Sequence, residues 1–230
     1  MEKSNKIFLI IILVCTLCVV GICGYAIMNH EEIVVSDAIK FKNEYETING
    51  AKSEIDDKNY PIVSISESNP IVYKTGKEIL DVLKNGEGLV YFGYSSSALC
   101  RNVVEPLLNA SKENNVEVIY YVDILDIRDE YKFSGSIRPE KIKNGTDSYY
   151  EILKFFGSKL DKYYIKDEPG NQYDTGVKRL LAPTVISVKN GKIVGMHVNT
   201  VETQKDEFVK LNNKEAKELQ DRYSEIIKKL

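Results

Sequence analysis

Leu89-Val90-Tyr91-Phe92-Gly93-Tyr94-Ser95-Ser96-Ser97-Ala98-Leu99-Cys100-Arg101 is the stretch on which the fold turns. Leu89 to Tyr94 is a continuous apolar and aromatic run of strand length, the pattern of a central strand buried on both faces. A helix is expected to follow from about Ser97 to Glu113, with Val103, Val104, Leu107 and Leu108 on its apolar face. Pro106 lies inside that helix and should kink it.

Upstream, Pro70-Ile71-Val72-Tyr73-Lys74 reads as a short strand. Thr75 with Glu78 three residues on predicts a capping box, and Ile79, Leu80 and Leu83 form the apolar face of the helix it opens. Asn85, Gly86 and Gly88 end that helix. Downstream, Val118 to Val122 is a second buried strand. The order strand, helix, strand, helix, strand calls for a parallel arrangement with helices on the faces, an α/β fold. Beyond a polar stretch, a helix is expected over Asp147 to Leu160. Pro183 to Val188 and Ile193 to Val198 are strands joined through Lys189-Asn190-Gly191-Lys192, and Asn-Gly between apolar runs is the strongest short-range hairpin signal. Two helical segments divided near Asn212-Asn213 are expected to finish the chain.

The other end of the chain has a different character. Ile7 to Met28 is an uncharged apolar run of about twenty residues, long enough as a helix to span a hydrocarbon core of roughly 30 Å. Lys3 and Lys6 precede it and Glu31, Glu32 and Asp37 follow, which predicts a cytoplasmic tip at 1–6, a single-pass anchor at 7–28 in the cell membrane, and an extracytoplasmic remainder. A cleaved signal peptide ending near Gly24-Tyr25-Ala26 is the rival reading. Residues 29–69 read as a spacer and lead-in, with a weakly helical stretch from Asp37 to Ile48, and residues 70–230 as the domain. The 43% hydrophobic content of the 230 residues is enough for a core, and the net charge of -3 comes without a basic block, which argues against a nucleic-acid partner.

Of four cysteines, Cys15, Cys18 and Cys23 fall in the apolar run and read as apolar filling. Cys100 is left without a partner in its own ectodomain, either buried and inert or reactive. His30 and His197 are too far apart and too short of ligand company for a metal site; each reads as a surface histidine. No cofactor is indicated. The tyrosine pairs at 120–121, 149–150 and 163–164 read as strand or helix packing.

The segment Leu89–Arg101 resembles the active-site strand, turn and helix start of thioredoxins: an aromatic strand, then Cys-x-x-Cys, then a basic residue. Leu181-Ala182-Pro183-Thr184, running on to Gly195, is similar to the family's second landmark, a cis-proline opening a strand and then a hairpin. The likeness covers roughly residues 70 to 228, with 124–170 as an insertion. It points to the small extracytoplasmic thioredoxin-like proteins of Gram-positive bacteria, the bacteriocin transport accessory group among them. The resemblance implies a thioredoxin-like three-layer sandwich, parallel strands plus an antiparallel C-terminal hairpin with helices on both faces. It also implies a site made of Cys100 and Ser97, with Ala182, Pro183 and Thr184 binding a protein or peptide client.

The departures bear on function. The family's first cysteine falls on Ser97 and its second on Cys100; the tryptophan before the first is Ser96, the buried acid nine residues before the second is Tyr91, and the kink proline comes one residue late at Pro106. A serine at a helix N-terminus cannot supply the thiolate that the macrodipole favours in a cysteine. The dithiol cycle is therefore closed to this chain acting alone. Three readings of Cys100 stay open: monothiol chemistry through a mixed disulfide, a non-catalytic module binding extended peptide beside the cis-proline loop, or simple packing under the first helical turn. The first would make the protein a thiol–disulfide related or client-handling accessory; the second, a peptide-binding or structural subunit of a secretion or transfer complex.

Overall fold

The run Leu89–Gly93 is buried at every residue, and its alternation decides the layers. Leu89 and Tyr91 enter one hydrophobic core and Val90 and Phe92 the other, so the strand they occupy carries a core on each face. The computed structural model of the protein describes residues 35–54, 57–133, 138–167 and 170–230. The expected anchor at 7–28 lies outside them, and among the described residues no helix is long and apolar enough to cross a membrane. Ser36–Leu230 forms one unit.

In chain order the elements are α1 (Asp37–Glu46), β1 (Ile71–Tyr73), α2 (Gly76–Asn85), β2 (Gly88–Gly93), α3 (Ala98–Glu113), β3 (Ile119–Asp123) and α4 (Ile124–Ile127). They continue as β4 (Glu130–Lys132), β5 (Glu140–Lys143), α5 (Asp147–Phe156), β6 (Asp161–Lys166), β7 (Gln172–Arg179), β8 (Thr184–Lys189), β9 (Lys192–Val198) and α6 (Asn213–Ile227). The main sheet is mixed, with order β1-β3-β2-β8-β9. β3 pairs in parallel with both β1 and β2, and β8 runs antiparallel to β2 and β9. The chain is thus an α/β protein. Ile79 and Leu83 of α2 and Ile152 and Phe156 of α5 close one face. Phe41 and Tyr45 of α1, Val103, Val104 and Leu107 of α3, and Leu219 and Tyr223 of α6 close the other. Each such side chain taken out of water stabilises the fold by about 1.5–3 kcal/mol.

The local signals are realised in detail. The Thr75 hydroxyl accepts from the Glu78 N–H at 3.2 Å, and the Glu78 carboxylate accepts from the Thr75 N–H at 2.8 Å, completing the capping box. Asn190 and Gly191 both take positive φ, 51° and 67°, the conformation a two-residue hairpin needs. Gly191 is also held by space, since a Cβ there would stand 2.4 Å from the Lys84 carbonyl oxygen.

Three expectations are corrected. Residues 37–69 are not a spacer, because Phe41 and Tyr45, one turn apart on α1, are fully buried, and Pro61, Val63 and Ile65 follow them into the core. The stretch 124–170 is not one insertion. It contains α5, which packs on the sheet, between two antiparallel ribbons, β4–β5 and β6–β7, the second reaching Arg179. The chain ends in one helix, not two. Asn212 caps it, accepting from the Lys214 and Glu215 N–H groups, whereas the preceding segment is held along α3 by Asn102, which donates to the Glu207 carbonyl and accepts from the Leu211 N–H. Tyr121 and Tyr149 are buried, as the packing reading of the tyrosine pairs expects, while Tyr164 stays exposed.

Candidate functional site

Ser97 ends the turn after β2 and caps α3: its hydroxyl accepts from the Cys100 N–H at 3.2 Å. That bond satisfies one of the free donors at the helix start. It places Cys100 in the first turn, pointing inward, with 0% of its surface exposed. Ser97 itself is 9% exposed, and only Ser96 of the turn is open to solvent. Across the sheet, Phe92 of β2 is registered with Thr184 of β8, so the strand opened by Pro183 begins at the end where β2 finishes. The Ala182–Pro183 peptide bond is cis. The residues singled out from the sequence are therefore brought to one end of the sheet.

Their accessibility differs from one to the next. Pro183 and Thr184 are buried and Ala182 is half-buried. The Pro183 carbonyl already accepts from the Asn199 N–H at 2.8 Å, and the Thr184 hydroxyl donates to the Leu181 carbonyl at 2.6 Å. Among the described residues, Ala182 alone of the three keeps both main-chain groups without a partner.

Cys100 is enclosed by phenols. Tyr45 and Tyr91 join hydroxyls at 3.0 Å, and the Tyr91 hydroxyl reaches the Cys100 carbonyl at 3.5 Å. Phe41, Tyr73 and Tyr121 extend the aromatic cluster, with ring centroids 5.0 Å apart for Phe41–Tyr121 and for Tyr73–Tyr121. Burial pushes the Cys100 thiol above its ordinary pKa; the Ser97 hydroxyl, the Tyr94 main chain and the Tyr91 hydroxyl pull it down without reversing the shift, and the Asp123 charge adds to the rise. Burial likewise raises the Tyr45 and Tyr91 phenols well above their usual range. Thiol–disulfide exchange needs a thiolate with access to the sulfur under attack, and here the thiol is buried and its pKa is raised.

Three residues at this end were not singled out from the sequence. Arg101 is 1% exposed, and its guanidinium donates to the carbonyls of Pro61 and Tyr45, each at 2.7 Å, to that of Ser95 at 3.4 Å, and to the Asn49 side chain. No carboxylate is among these partners. The arginine ties Tyr45, Asn49 and Pro61 across the first turn of α3 and so holds Tyr45 in the core that contains Cys100. Its place after the cysteine was legible, but its burial depends on residues 40 and more positions away. Asp123 ends β3 beside Gly93, and burial raises its carboxyl to about 6; Glu44 and Asp126 also raise it, while the Leu125 N–H and Arg128 hold it down. Glu44 accepts from the hydroxyls of Tyr73 and Tyr121. His197 is half-buried rather than a surface residue, its ring 5.6 Å from that of Tyr223 and its Nε2 3.0 Å from the Thr200 carbonyl.

A second polar cluster ties the two ribbons to each other. Arg179, at the end of β7, pairs with Asp129 at 3.2 Å, and both are almost completely buried. The guanidinium lies 4.0 Å from the centre of the Tyr163 ring. Compared with known protein families the chain matches none, and no curated protein is similar to it in sequence at a significant level.

Proposed function

We propose that this chain is a membrane-tethered, extracytoplasmic accessory protein of thioredoxin-like fold that handles a protein or peptide client without covalent chemistry, Cys100 serving as a core group. The sheet order β1-β3-β2-β8-β9, the helices on both faces, the cis Ala182–Pro183 bond opening β8 and the proline within α3 support the fold assignment. The apolar run 7–28 with its positive N-terminal flank supports the tether.

One observation carries the functional reading: the single cysteine of the ectodomain has no exposed surface and a raised pKa. Ser97 fills the helix cap where a nucleophile would stand. Monothiol exchange would require Cys100 to be uncovered, and the bonds from Arg101 to Tyr45, Asn49 and Pro61 hold part of its surroundings in place.

The test is the reaction of Cys100 with an aromatic disulfide probe, in the full chain carrying Cys15→Ala, Cys18→Ala and Cys23→Ala. The non-catalytic reading expects negligible reaction until denaturant unfolds the protein, with the unfolded thiol titrating near ~8.5. Fast reaction of the folded protein at neutral pH would instead assign it to monothiol redox chemistry.

A further inference from the structure

Residues 61–66 belong to no sheet, yet they carry the burial pattern of a strand. Pro61, Val63 and Ile65 are buried while Ile62, Ser64 and Ser66 are exposed, the two-residue period of a half-buried strand. One edge of this segment is satisfied by side chains instead of a neighbouring strand. Asn49 bonds both the N–H and the C=O of Val63, each at 2.9 Å. Glu46 accepts from the Ile65 N–H at 2.7 Å, Lys42 donates to the Ile65 carbonyl at 3.1 Å, and Arg101 takes the Pro61 carbonyl.

The opposite edge is open. Among the described residues, the N–H and C=O of Ile62, the C=O of Ser64 and the N–H of Ser66 have no hydrogen-bond partner. The Ser64 N–H alone is occupied there, by the Glu105 carboxylate at 2.9 Å, which Lys210 also holds at 2.9 Å. Beside Ser64, Ser66 and Ser68 runs a cleft of about 920 Å³, walled on the far side by Glu105, Leu108, Asn109 and Lys112 of α3. Its charges cancel, Glu105 and Glu117 against Lys112 and Lys210. Ile62 is 62% exposed, and Val209, next to the Lys210 that closes the rim, is 60% exposed.

We propose that this edge and cleft bind an extended, uncharged polypeptide segment of a partner protein by strand addition. The main-chain groups of Ile62, Ser64 and Ser66 supply the pairing, alternate side chains of the partner meet Leu108 and Val116 in the cleft, and the charge-balanced walls disfavour a partner with net charge. Glu105 marks the position of one partner carbonyl and is displaced toward Lys210 as the strand enters. Open strand edges are normally blunted by charge, a bulge or a cover, and Glu105 covers one donor only. This surface is separate from Ala182, Pro183 and Cys100, and it stands whether or not the thiol proves reactive.

The full chain in detergent is tested on an array of uncharged eight-residue peptides, each displayed unmodified and with N-methyl groups on alternate residues in either parity. A second array uses Asn109→Trp, which fills the cleft from an exposed α3 position that makes no side-chain hydrogen bond. The expected result is a subset of peptides whose binding is lost with N-methylation in one parity, survives the other, and falls at least tenfold with Asn109→Trp. Strand pairing alone has that parity. Binding indifferent to parity, binding undiminished by Asn109→Trp, or no binding at all would overturn the proposal. So would a concentration-dependent dimer abolished by the same substitution, which would assign the edge to a second copy of the chain.

Discussion

Arg101 and Arg179 are both buried, and the chain neutralises them in opposite ways. Arg101 sits among neutral acceptors, three main-chain carbonyls and an amide oxygen. Arg179 sits against the carboxylate of Asp129 and also donates to that residue's main-chain carbonyl. A main-chain carbonyl cannot be removed by mutation, whereas a carboxylate can. The first arrangement is therefore fixed to the path of the backbone at Tyr45, Pro61 and Ser95, whereas in the second both charges can be replaced together, leaving the Asp129 carbonyl as the one acceptor that loses its donor. Both arginines join segments distant in sequence, Arg101 reaching Pro61 and Tyr45, 40 and 56 positions away, and Arg179 reaching Asp129, 50 positions away.

The contrast is sharpest when one partner is taken away. Asp129→Ala leaves the Arg179 charge buried and uncompensated and should destabilise the protein by about 3–5 kcal/mol, read from denaturant midpoints. Adding Arg179→Met to an Asp129→Leu background should recover more than half of the loss. If the double variant is as unstable as the single one, the pair is not exchangeable and the comparison fails. Arg101→Met should cost about 2–4 kcal/mol, because it leaves buried carbonyls without donors and no second substitution can rescue them. It should also raise the reactivity of Cys100 toward a disulfide probe at denaturant concentrations below the main transition, since Tyr45 is held less firmly in the core around the thiol. An Arg101→Met protein that loses stability but keeps Cys100 silent until global unfolding would separate the clamp from the burial of the thiol.

Asp123 extends the comparison to a carboxylate raised first by burial and then by the Glu44 and Asp126 charges, with the Leu125 N–H and Arg128 only partly offsetting them. Its folded pKa of about 6 lies above the ordinary 3.8, so the folded state binds the proton more tightly than the unfolded one. The contribution to stability is therefore unfavourable at neutral pH and is relieved as pH falls through 6 toward 4. Asp123→Asn should stabilise the protein at pH 7 by at most about 3 kcal/mol, from the shift of roughly two pH units, and by little at pH 4. A gain equal at both values would show that charge is not the cause. The smallest effect is expected of Ser97→Ala, about 1 kcal/mol for a lost helix cap. A much larger loss would mean that the hydroxyl also holds the thiol.

The elements built from short-range rules were legible. The Thr75–Glu78 box, the Asn190–Gly191 hairpin and the buried run of β2 each depend on residues within a few positions of one another. Ser97 could be placed at the start of α3 for the same reason. The lead-in was misread because α1 is dominated by charge, and only Phe41 and Tyr45, one turn apart, mark the face that enters the core. The second C-terminal helix is expected on composition, but Asn102 captures the main chain at Glu207 and Leu211, more than a hundred residues away, and the segment between them runs as turn and irregular chain.

The amino-acid sequence by itself determined the α/β class, the strand and helix order around Cys100, and the absence of a second cysteine beside it. Only the tertiary structure decided that Cys100 is sealed, that Arg101 is solvated by neutral acceptors, and that residues 61–66 keep one open edge. The physical reason is range. Periodicity, caps and turns are set by neighbours along the chain, while burial, a raised pKa and an unpaired edge are set by which distant segments arrive and which do not.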